Sequence, residues 1–165
     1  MKLIFILLSI LMVFCAQEKK KNPVEGVWVI TEIKTDGPDY NYFNPTPQPS
    51  LIIFTEKYYS MVWMPGDKPP VDNKKKWYPT DEEKINSFNS IIVNSGDYII
   101  RDTTIITYPK VAKTNEFIGG SATYSFEFVD DTLLLKLLDT YSHDGVQDLE
   151  ILKYRTSLKL LKVDN

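Results

Sequence analysis

Short extended runs, each ended by a turn signal, recur along this chain and confine it to an all-β fold. The sharpest is centred on Tyr124, Phe126 and Phe128, which alternate with Ser125 and Glu127. A period of two places the three rings on one face of a strand. Asp130-Asp131 then turns the chain, and residues 132–137 supply the returning strand. The same pattern predicts strands over residues 26–33, 51–55, 58–64, 97–101 and 104–108, with turns at Glu56-Lys57 and Asp102-Thr103. Residues 109–112 either bend or continue a strand. A last hairpin is expected from 146–154 to 157–163. Many short strands protect their edges best by closing on themselves, so the expected fold class is an all-β, antiparallel up-and-down barrel.

One short helix interrupts the strands. Thr80 is its N-cap, and Glu83 completes a Thr-x-x-Glu capping box. Asp81, Glu82 and Glu83 suit the positive end of the helix dipole. Ile85, Phe88 and Ile92 form one apolar stripe, widened by Ile91. The expectation is a helix over residues 80–94 that plugs one end of the barrel and buries Phe88. Residues 34–50 form a long connection broken by Pro38, Pro45, Pro47 and Pro49. Its Tyr40, Tyr42 and Phe43 either close over a barrel mouth or pack against the outside.

Lys2, an apolar run through Phe14 broken only by Ser9, and Cys15-Ala16 read as an export signal. Cleavage after Ala16 and cleavage before Cys15, with lipid attached to that cysteine, both stand open. The expected organisation is a signal over residues 1–16, or a lipoprotein signal ending before Cys15, then a linker over 17–25 and a barrel over 26–163. The expected location is periplasmic, outer-membrane-associated or extracellular, with membrane contact only through lipid at Cys15. That residue is the sole cysteine, so packing alone must hold the barrel. A net charge of -3 gives no basic face for nucleic acid.

No catalytic, metal or cofactor constellation stands out. His143, the single histidine, lies in a turn-like segment without a second histidine or cysteine nearby, and reads as a surface residue. Aromatic residues carry the better clue. Tyr59, Trp63, Trp77, Tyr98, Tyr124, Phe126 and Phe128 are the candidate ligand-binding residues, because rings supply apolar area with a few polar handles. Alternation defines faces without saying which is inward. A hollow barrel that binds a small apolar molecule and a filled barrel serving as a structural or protein-interaction module are therefore both open. A third reading is an isomerase or hydrolase using buried carboxylates and tyrosines.

Taken in order, several segments resemble the lipocalin-like domain family, a group of bacterial and fungal calycin-type barrels. They are Gly26-Val27-Trp28, Tyr58-Tyr59-Ser60-Met61, Thr80-Asp81-Glu82-Glu83 with Phe88, and Gly96-Asp97-Tyr98. Phe117-Ile118-Gly119-Gly120, Phe126-Glu127-Phe128 and Asp131-Thr132-Leu133 continue the likeness. The resemblance implies a lipocalin-like barrel in which Gly26 and Trp28 are structural. It also implies a basic residue near the chain end, Arg155 or Lys159, lying over the Trp28 ring. Ile105-Ile106-Thr107 lacks the histidines that the family often carries on strands after the helix.

Overall fold

The computed structural model describes residues 22–69 and 72–163, so the expected signal and Cys15 lie outside the described residues. Among the described residues nine strands follow one another: β1 (Gly26–Asp36), β2 (Asn41–Asn44), β3 (Ser50–Phe54), β4 (Tyr58–Trp63), β5 (Ile92–Arg101), β6 (Thr104–Ala112), β7 (Ser121–Val129), β8 (Thr132–Tyr141) and β9 (Arg155–Lys162). From β3 to β9 each strand pairs antiparallel with the next, and β9 returns to β1. Eight strands thus close a barrel, while β2 pairs with the far end of β1. Asp102 and Asp130 hold left-handed φ values of 50° and 53° in the two tight hairpins, a conformation that aspartate tolerates better than most residues.

Inward positions repeat every second residue, and their pairings stack them in layers. Trp28 and Ile30 of β1, Ile52 and Phe54 of β3, and Leu158 and Leu160 of β9 are all buried. In β7, Tyr124, Phe126 and Phe128 share the face of buried Ala122. Pro109 continues β6 because a bulge between Ser95 and Gly96 accommodates it. A Cβ on Gly96 would lie 2.0 Å from the Tyr108 carbonyl oxygen, so this crossing needs glycine.

The two barrel ends differ. One is packed solid by Val24, Trp28, Phe54, Tyr98 and Leu160. The first and last described segments both reach it: Asn22 Nδ2 donates to Thr55 O at 3.5 Å, and Val163 N donates to Val27 O at 2.8 Å. The other end is a mouth, ringed by Trp63, Ile92, Ala112 and Tyr141.

Helix α1 (Asp81–Asn89) is shorter than expected and plugs neither end. It buries no residue, and Ile85 and Phe88 are 60% and 51% exposed. The apolar stripe is cut because β-branched Ile92 and Val93 pair with Trp63 and Val62 of β4, drawing residues up to Gly96 into the sheet. Only its capped start follows the expected plan. Thr80 Oγ1 accepts from Glu83 N at 3.3 Å, and Glu83 Oε2 accepts from Thr80 N at 2.7 Å.

The expected last hairpin is also corrected. Residues 146–154 form a turn and a short helix, α2 (Leu149–Lys153), instead of a strand. Asp148 caps this helix by accepting from Glu150 N at 2.9 Å.

Candidate functional site

A cavity of about 640 Å³ opens at the mouth and reaches down between the strands. Its deeper walls are apolar, with Met61, Leu135 and Leu158 meeting Tyr124. The β8–β9 connection and a single 3-10 turn (Asn115–Phe117) form its rim. Backbone bonds tie these two segments together: His143 N donates to Glu116 O at 3.0 Å, and Ser142 N donates to Val146 O at 2.9 Å. A Cβ on Gly120 would sit 2.1 Å from the Tyr141 carbonyl oxygen, so glycine permits the close approach of chain beneath the rim.

Charged side chains lie around the opening. Lys113, Glu116, Asp144 and Asp148 line it together with the His143 ring, which is 60% exposed. The Ser142 hydroxyl donates to Asp144 and holds its carboxyl below the usual carboxylate range. Lys113 Nζ is already engaged, donating to Phe88 O at 3.2 Å and lying 4.9 Å from the Phe88 ring centre. Among the described residues, no group of three or more histidine, cysteine, aspartate or glutamate side chains is placed to hold a metal.

A family model for the lipocalin-like domain matches residues 25–152. The chain belongs to the lipocalin-like domain family. No curated protein and no solved structure matches it. The matched span takes in every strand of this lipocalin-like barrel except β9.

The candidate ligand residues of the lipocalin-like domain separate in space. Trp63 and Tyr124 line the large cavity. Tyr59 lies in the buried core, where its hydroxyl finds no hydrogen-bond geometry although Thr107 is beside it. Burial pushes the Tyr59 phenol far above its ordinary range, and pushes that of Tyr124 up to about 12. Tyr124 still keeps some accessible surface, which faces the cavity.

Tyr98 belongs to the packed end. Its ring meets Phe54 edge-on at 5.2 Å, and its hydroxyl donates to Thr55 O at 2.5 Å. Phe128 lies 6.2 Å from Trp28 at the same end. Phe126 lines a separate pocket of about 510 Å³ with Glu32, Lys34 and Lys136. Trp77 is outside the cavity altogether. It is 87% exposed, because the polar connection before α1 runs over the surface.

The basic residue over Trp28 is Lys162, at 5.4 Å, and neither Arg155 nor Lys159. Register explains the difference. β9 runs antiparallel to β1, so Trp28 faces Lys162 while exposed Arg155 faces Asp36 at the mouth end. Lys162 Nζ also donates to Glu25 O at 3.0 Å. The loop aromatics split as well: Tyr42 packs against the core, whereas Tyr40 and Phe43 are exposed, and none lines the cavity.

Sequence reasoning missed Asn94, Leu137 and Thr156, which all line the cavity. Leu137 was reachable through its pairing with Tyr124 across the β7–β8 hairpin. Asn94 carried no such signal, since it stood where a helix end was expected.

Proposed function

We propose that the protein binds a small apolar molecule in its barrel cavity, and does so outside the cytoplasm. The observation that carries the binding reading is the apolar cavity of about 640 Å³ above a packed base. Ligand cavities commonly measure about 300–1,000 Å³ and present mainly apolar walls with a few polar groups. Membership of the lipocalin-like family supports the same reading. Export is supported by Lys2, the apolar run that follows it and Cys15-Ala16.

The binding test is to soak the purified protein in a mixed lipid extract, wash it, and identify retained molecules by mass spectrometry. The expected result is a retained apolar molecule that is lost from Ala112→Phe, whose ring fills the cavity wall. A wild-type protein that retains nothing overturns the reading. Intact mass from the native host tests export: a chain cut after Ala16, or cut before a lipid-bearing Cys15, is expected, and an uncut chain contradicts it.

A further inference from the structure

Asn94 stands on the inward face of β5, opposite Met61 of β4 and Ala112 of β6. It is 5% exposed and lines the cavity. Its Oδ1 has no hydrogen-bond partner. Buried amide groups are nearly always satisfied, so an unmet Oδ1 beneath an apolar wall marks a polar side chain that a turn toward the cavity would let a ligand satisfy. Turning the carboxamide by half a rotation exchanges Oδ1 and Nδ2, so the wall offers either an acceptor or a donor at this point. An alcohol or a primary amide meets both cases, since each donates and accepts.

Charge narrows the ligand further. No charged group lies beside Asn94 on its paired neighbours Met61 and Ala112. The opening carries Glu116, Asp144 and Asp148 against the exposed His143 ring and a Lys113 already held by Phe88. A ligand carboxylate would meet like charge at the rim, and either ion would lose its hydration with no opposite charge on Met61 or Ala112 beside Asn94. A bare hydrocarbon would leave the amide of Asn94 unmet.

We infer that the cavity takes an uncharged amphiphile whose alcohol or primary amide head bonds to Asn94. This rests on the small-molecule reading above and adds the ligand's chemical class. Decanol, decanamide, decane, decanoate and decylammonium are titrated at neutral pH into the full protein, with fluorescence of the cavity-lining Trp63 as the signal. Wild type is expected to bind decanol and decanamide about tenfold more tightly than the other three. In Asn94→Leu and Asn94→Ala that preference over decane disappears while decane binding persists. Two variants are used so that a folding defect in one leaves the other to report.

Equal binding of decane and decanol by wild type overturns the inference, and so does preference for either ion. A preference that survives in a folded Asn94 variant overturns the role of Asn94. If none of the five probes binds, the small-molecule reading falls together with the inference. Binding of decane alone leaves that reading standing and removes only the head-group assignment.

Discussion

Gly26 has a φ of +148°, and a Cβ there would meet Lys162 Cε at 2.6 Å. The missing side chain is what lets Lys162 lie across Trp28, whose Nε1 donates to Val24 O at 2.9 Å. The glycine and tryptophan of the opening motif are therefore two parts of one contact with the last strand. Lys162→Met should cost about 0.5–1 kcal/mol, because the ammonium is exposed and its attraction to the ring is screened. Gly26→Ala should cost more, about 1–3 kcal/mol, through strained backbone. Denaturant midpoints measure both. The double variant is expected to lose less than the sum, since either change already disturbs the same lysine.

Among the elements, α1 separates local from distant information. Thr80→Ala should remove about 1 kcal/mol of helix stability and speed amide exchange over residues 81–89, while the global midpoint stays nearly unchanged. Phe88→Ala should lower global stability by less than about 1 kcal/mol, with a correspondingly small midpoint shift, because half of the ring already faces water. A large shift would show that Phe88 is covered after all. The capping box was legible because four adjacent residues contain it. The fate of Ile92 was not, because it depends on pairing with Trp63 across a long, irregular connection. Lys162 was hidden for the same reason: composition marks several basic residues near the chain end, but only strand register selects one. The short α2 was obscured because Ile151 and Leu152 suit a strand equally well, and the cap at Asp148 was the one cue against it.

For the whole molecule, the strand succession and its hairpin turns made closure legible, while the cavity was not. Whether Tyr124 and Phe126 fill a barrel or wall a hollow depends on what faces them from four or five other strands. The buried phenols give closure a pH signature. Tyr59 and Tyr124 are raised by burial, so the unfolded chain loses those protons first, near pH 10. Stability is therefore complete below that pH and falls as pH rises from 10 toward 12, by roughly 1.4 kcal/mol per pH unit for each tyrosine. Urea midpoints measured across this range should decline, and Tyr124→Phe should flatten the decline. A flat profile for wild type would mean that water reaches both phenols. Finally, Asn22 and Val163 both lie at the packed base, opposite the mouth. The molecule is a cup held by its foot: fixing it to a bead or a sensor chip at Asn22 or Val163 leaves the brim turned outward and free to fill.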